Sequence, residues 1–252
     1  MNKHFNLKAL ATGVSAFLMK LQYNSWARNY DGMFKNCKYS APEILSETLV
    51  RESALPQQKG LRILDVGIGT GLLSEQFKRI NPSCHITGID ISQGMLDACK
   101  NKSVADEVLQ LDFQSSVFPF EDESFDIVAS SGVFELLGRP EHVIAEMGRV
   151  LKPGGAFSFT TYSDSKLGYL CKFHDPADID NALEEAGLAL RERFRFHAFT
   201  EASLLLFLPN PIYYHLNTGV KEVAAIIASD EERAPLRPAY VQDLGGYERH
   251  AP

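Results

Sequence analysis

The chain has 252 residues, 45% of them hydrophobic, and a formal net charge of −7. That length supports one large core with appendages, and the acidic balance removes the attraction that ordinarily drives phosphate-backbone binding, so no nucleic-acid partner is expected. Cys37, Cys84, Cys99 and Cys171 form no C-x-x-C pair or other metal-ligand spacing, so no metal site is expected and a reducing, cytoplasmic setting is.

Residues 1–30 carry Lys3, Lys8, Lys20 and Arg28 around the mildly apolar stretch 9–19. Thr12, Gly13 and Ser15 dilute that stretch and no A-x-A site follows, so it reads as an amphipathic helix rather than a signal or transit peptide. No apolar run approaches the ~18 residues of a membrane span. Residues 1–60 read as helical throughout. Ser40 is placed as an N-cap, with Pro42 and Glu43 in the first turn that follows.

Residues 61–71, LRILDVGIGTG, are the organising stretch. A buried strand over 61–66 runs into Gly67, Gly69 and Gly71, and an apolar helical pattern follows over 72–80 until Asn81-Pro82 stops it. Such a turn brings bare backbone to a ligand at a helix N-terminus. The dinucleotide fingerprint is G-x-G-x-x-G with an acid about 20 positions downstream. Here the spacing is G-x-G-x-G, and Asp65 stands two residues ahead of the first glycine. An acid there repels a pyrophosphate and welcomes an ammonium, so the ligand is expected to carry an amino-acid head group.

Further strands are expected over 85–90, 108–111, 125–131 and 156–162, with helices near 92, over 141–151 and over 177–186. The turn Lys152-Pro153-Gly154-Gly155 separates the second of these helices from its strand. The acidic run Glu121-Asp122-Glu123 reads as a solvated turn. Residues 188–199 and 212–218 read as two closing strands, and 221–252 as a polar tail with one helical stretch over 222–228.

Five blocks, ILDVGIGTG, ITGIDIS, LQLDF, FDIVASSGVFELL and MGRVLKPGG, follow one another in register. In order and spacing they resemble the class I S-adenosylmethionine-dependent methyltransferases. The resemblance implies an α/β, Rossmann-like doubly wound sheet of seven strands, six parallel and one antiparallel, with a helical N-terminal cap. The divisions are then 1–60 for the cap, 61–220 for the core and 221–252 for the tail. S-adenosyl-L-methionine is the implied cofactor. The implied contacts are Asp65, Gly67, Gly69 and Gly71 from the first turn, with Asp90 for the ribose hydroxyls. Ile91 and Met95 follow Asp90, Asp112 and Phe113 take the adenine edge, and Ser130 leaves the fourth strand. Tyr30, in a W-x-x-x-Y-D match from Trp26 to Asp31, is a contact from the cap.

The acceptor is less legible. A small molecule is expected, in a pocket rimmed by Phe134, Tyr162, Tyr169, Phe173, Tyr213 and Tyr214, with residues 163–175 as a lid or wall. Glu135 stands where many relatives have histidine, and Glu135 and His174 are the candidate bases for an acceptor that arrives protonated. Protein or tRNA methylation stays open, although the N/D-P-P-Y tetrad is absent, as does a non-catalytic cofactor-binding subunit. An aminopropyltransferase would need an acid after the fourth strand, where Ser130-Ser131-Gly132 has none. The acceptor atom and the oligomeric state are left open.

Overall fold

The computed structural model describes residues 18–53, 58–163, 172–199, 212–222 and 248–249. The expected helix over 222–228 and Tyr169 fall outside them, as does most of the expected lid. Ahead of the sheet lie α1 (residues 18–26), α2 (Tyr30–Asn36) and α3 (Ala41–Glu52). Then come β1 (Arg62–Val66), α4 (Leu72–Ile80), β2 (His85–Asp90), α5 (Gln93–Lys102), β3 (Glu107–Gln110) and β4 (Phe125–Ser130). A 3-10 turn (Phe134–Leu136), α6 (Pro140–Val150), β5 (Leu151–Tyr162), α7 (Pro176–Glu185), β6 (Leu188–Phe199) and β7 (Ile212–Lys221) complete the core.

The strands are ordered β3-β2-β1-β4-β5-β7-β6. β1 pairs in parallel with β2 and β4, as do β2 with β3 and β4 with β5, whereas β7 runs antiparallel to both β5 and β6. The seven expected strands and the single antiparallel one are present. The two-residue strand β8 (Glu248–Arg249) extends the edge beside β6.

Residues of β1 alternate between two cores, as the two-residue strand period requires. Ile63 faces the layer built from Leu45 and Leu49 of α3 and Leu73 and Phe77 of α4. Leu64 and Val66 face the layer built from Val143, Ile144 and Met147 of α6 and Ile179 and Leu183 of α7. Helices on both faces explain why the parallel strands read as continuous apolar runs.

Two local expectations differ from the structure. Ser40 does not cap α3; its Oγ donates to the His197 carbonyl at 2.6 Å, and with the Tyr39–Phe199 bridge it ties the cap to the end of β6. β5 starts at Leu151, not 156, because Leu151 pairs with Phe125 before the register jumps to Ile127–Ala156. The residues expected as a turn are thus an irregularity within the strand. The acidic run is an exposed turn as expected, with Asp122 paired to Arg149 at 2.7 Å and Glu123 to Lys221 at 3.4 Å.

Candidate active site

The carboxyl ends of β1, β2 and β4 open into a cleft enclosing about 780 Å³, its mouth included. Ligands of open α/β sheets bind at this end of the strands. The floor comes from Asp65 and the backbone of Gly67 to Thr70, one side from Asp90, Ile91, Met95 and Phe113, and the other from Ser131 to Val133. Met19, Tyr23, Tyr30 and Tyr39 of the cap cover it.

The glycine turn has its shape for steric reasons. Gly67 has φ 73°, and a Cβ there would stand 2.3 Å from Val133 Cγ2, so a side chain is excluded by both conformation and space. Gly69 has φ 55° and nothing within 4 Å of where its Cβ would be, although it lines the cleft. Bare backbone therefore borders open space at that point. Its N–H donates to Asp90 Oδ2 at 2.9 Å, and the Ser92 N–H donates to Asp90 Oδ1 at 2.8 Å.

Two carboxylates thus share the cleft. Asp65 is buried, accepts from Ser74 Oγ at 2.8 Å, and is pushed up to about 7 chiefly by burial. Asp90 is pushed up to about 6 for the same reason, against the hydrogen bonds from Ser92 and Gly69. No lysine or arginine lines the cleft among the described residues. The donor set calls for a ligand that carries positive charge and hydroxyl donors, which fits an aminoacyl sulfonium nucleoside and does not fit a diphosphate.

The cap is held by polar contacts on both sides of the cleft. Asn24 Oδ1 accepts from Ser92 Oγ at 2.7 Å and from the Gly94 N–H at 2.8 Å. Asp31 accepts from the Thr70 hydroxyl and pairs with Lys102 at 2.7 Å. Behind these, Tyr30 stacks on Phe34 at 4.2 Å and Tyr39 on Phe199 at 4.7 Å.

Of the residues singled out from the sequence, the structure brings Tyr30, Asp65, Gly67, Gly69, Asp90, Ile91, Met95 and Phe113 to the cleft wall. Gly71 is not there; it opens α4, and a Cβ on it would stand 2.5 Å from Val104 Cγ2. Ser130 is one residue short, for it is buried and donates to the Val66 carbonyl at 2.8 Å, and Ser131 reaches the cleft. Asp112 also stands apart, accepting from Ser115 Oγ at 2.9 Å and from the Gln114 N–H at 3.3 Å within its own turn.

Neither candidate base lines the cleft. The His174 ring is 2.8 Å from the Phe134 carbonyl oxygen through Nε2, and Glu135 is buried against Tyr214. The aromatic rim lies elsewhere too. Phe134 and Tyr162 are buried in the core, Tyr214 holds Glu135, and Tyr213 lies under the Arg195 guanidinium at 3.5 Å. Sequence reasoning missed Met19 and Tyr23, whose only signal was an apolar face on a helix ahead of the sheet.

Strand order, single antiparallel strand and cleft position define a class I methyltransferase fold. Residues 64–159 match the family model described as a methyltransferase domain. The malonyl-[acyl-carrier protein] O-methyltransferase of Priestia megaterium is 24% identical over 248 residues, covering 90% of this chain and 87% of that protein. The demethylmenaquinone methyltransferase of Staphylococcus aureus is 32% identical over 137 residues, covering 53% of this chain and 55% of that protein. The structure of magnesium protoporphyrin IX methyltransferase from Synechocystis PCC 6803 with bound SAH superposes with TM-score 0.63 at 15% identity, over 82% of this chain and all of that one (100%). Residues 64–159 thus form a methyltransferase domain on this fold, and the protein is an S-adenosylmethionine-dependent methyltransferase with S-adenosyl-L-methionine as its cofactor.

Proposed function

We propose that the protein transfers a methyl group from S-adenosyl-L-methionine to a small-molecule acceptor held beneath the cap. The observation that carries this reading is the cleft itself: about 780 Å³, largely apolar, with tyrosines at its cover and no cationic residue on its wall among the described residues. The relative named for demethylmenaquinone acts on a small acceptor by its name, which supports extending the small-acceptor reading to this chain.

S-adenosylmethionine supplies a methyl group already activated on sulfur. The protein's part is binding, orientation and exclusion of water. In this reading Asp90 accepts from the ribose hydroxyls, Ile91, Met95 and Phe113 pack on the base, and Asp65 with the Gly67–Gly69 backbone takes the amino-acid end. Asp112 shapes the turn beside the base. Tyr30 and Tyr23 close the cleft from above, and Ser131, Gly132 and Tyr39 border the space left for the acceptor.

The test is transfer of a labelled methyl group into a cell extract separated into protein, RNA and small-molecule fractions. Label is expected in the small-molecule fraction. Stoichiometric label in protein or RNA, with none in small molecules, would refute the reading.

A further inference from the structure

A polar cluster lies behind Ser131 and Gly132 that no cofactor role absorbs. Glu135, in the 3-10 turn after β4, is 5% exposed. Its Oε1 accepts the Tyr214 hydroxyl of β7 at 2.6 Å, while Oε2 is buried without a hydrogen-bond partner. An ionised oxygen left in that state is costly, so the group either holds a proton or awaits a donor. Gly132, at φ 70°, separates this carboxylate from the cleft. The point where its Cβ would lie is 2.5 Å from the Tyr39 hydroxyl and 3.7 Å from Glu135 Oε1. Tyr39 lines the cleft and its hydroxyl is 3.1 Å from Ser131 Oγ, a second lining hydroxyl.

We propose that Glu135 is the terminal proton acceptor of the reaction and that Tyr39 hands the proton inward to it, so the methyl acceptor is a molecule whose nucleophilic atom arrives as O–H or N–H. The inference rests on the small-acceptor reading and deepens it by naming the substrate class. The acceptor atom's lone pair forms the new bond to the methyl carbon, and the displaced electron pair stays on sulfur. In this structure the Tyr39 hydroxyl bonds Ser131 Oγ and Glu135 Oε2 is unpaired, so the relay requires that hydroxyl to turn toward the carboxylate; the acceptor's proton then passes to the Tyr39 oxygen while the Tyr39 proton passes to Glu135 Oε2. Tyr39 ends neutral and Glu135 ends protonated, to be returned to its carboxylate by solvent. Glu135 acts through Tyr39 and is a positioning residue in that sense.

The electrostatics agree with this assignment. Burial pushes Glu135 up to about 7, and the Tyr214 hydrogen bond pulls it down. Burial and then the Glu135 charge hold Tyr39 far above the ordinary phenol range, so it relays as a neutral hydroxyl. Among the described residues, the titratable groups facing Glu135 are Tyr214 from β7, Tyr39 from the turn before α3 and Tyr30 from α2. Lys172 donates its own N–H to the Glu135 carbonyl with its ammonium beside Gly138, and the His174 ring meets the Phe134 carbonyl.

The experiment uses the full chain with Glu135→Gln, Tyr39→Phe and Tyr214→Phe. Infrared titration between pH 5 and 9 needs no acceptor. A protonated carboxyl band that titrates near neutrality, vanishes in Glu135→Gln and moves to higher pH in Tyr214→Phe is expected. A Glu135 already ionised at pH 5 would overturn the inference whatever the acceptor. The labelled small-molecule product is then identified, and its turnover followed against pH. The methyl group should stand on an oxygen or nitrogen that had carried a proton. Turnover should rise to a plateau with a midpoint near neutrality, more alkaline in Tyr214→Phe. It should fall a hundredfold or more in Glu135→Gln and in Tyr39→Phe, with calorimetric cofactor affinity unchanged. A methylated sulfide or carbon, a pH-independent rate, or full turnover in Glu135→Gln would overturn it. Absence of label from small molecules would instead strike the proposed function, leaving the infrared result to judge Glu135.

Discussion

Asp65 and Asp90 face one cleft as carboxylates raised to about 7 and about 6 by burial. The folded protein therefore keeps protons that the unfolded chain has released, between the ordinary carboxylate range and those values. Stability of the ligand-free protein is accordingly fuller at pH 5 and declines as pH rises through about 6 to 7. Thermal unfolding of the free protein at pH 5 and pH 8 should show the higher melting temperature at pH 5. A cationic ligand binds the ionised forms, so cofactor affinity should rise roughly tenfold or more from pH 5.5 to 8, with protons released on binding. Calorimetry in two buffers of different ionisation enthalpy measures that release; proton uptake would contradict it. The glycines separate conformation from contact. Gly67→Ala combines a left-handed φ with a 2.3 Å approach to Val133 and should cost about 1–3 kcal/mol or more of stability. Gly69→Ala meets no neighbour within 4 Å, so its added methyl should weaken the cofactor more than the fold. Comparing melting temperature with cofactor affinity for the two variants checks this ordering.

The cap and the sheet meet through few polar contacts, and Asn24 carries two of them on one oxygen. Asn24→Ala leaves the Gly94 N–H and the Ser92 hydroxyl without that acceptor and should weaken cap docking by about 1–3 kcal/mol. Cofactor dissociation should accelerate in stopped-flow measurements while the circular dichroism of the sheet is unchanged. An unaltered dissociation rate would show that the cap does not gate the cleft. At this scale the sequence was legible where the signal is local. The strand–glycine–helix run, the acid at the end of β2 and the closing strands follow from spacing and periodicity alone. β4 shows the opposite case: FDIVAS is buried along nearly its whole length, so no alternation tells which of Ser130 and Ser131 turns toward the cleft. Ser40 has the composition of a cap, but a carbonyl of β6, distant in sequence, claims its hydroxyl. Glu135 and His174 looked like bases by residue type, but only the 3-10 turn shows that Glu135 sits behind Gly132 rather than on the cleft wall and that His174 is held at the Phe134 carbonyl.

For the whole molecule, two apolar cores on opposite faces of the sheet hold the carboxyl ends of β1, β2 and β4 in place, and the function lives in that gap beneath the cap. The sheet was readable because parallel strands buried on both faces have a composition of their own. The cover was legible only in part: the sequence pointed to Tyr30, but Met19 and Tyr23 become cleft residues only when the helices dock. No helix among the described residues is long and apolar enough to cross a membrane. The central claim is that this gap binds S-adenosylmethionine through the end of β2 and the glycine turn. Isothermal titration calorimetry of S-adenosylmethionine with the wild type and Asp90→Ala tests it most directly. Losing even one charged hydrogen bond of about 1.5–3 kcal/mol should weaken binding at least roughly tenfold to a hundredfold, in a variant whose circular dichroism is unchanged. Equal affinity in the two proteins, or binding of a dinucleotide in place of S-adenosylmethionine, would contradict the account.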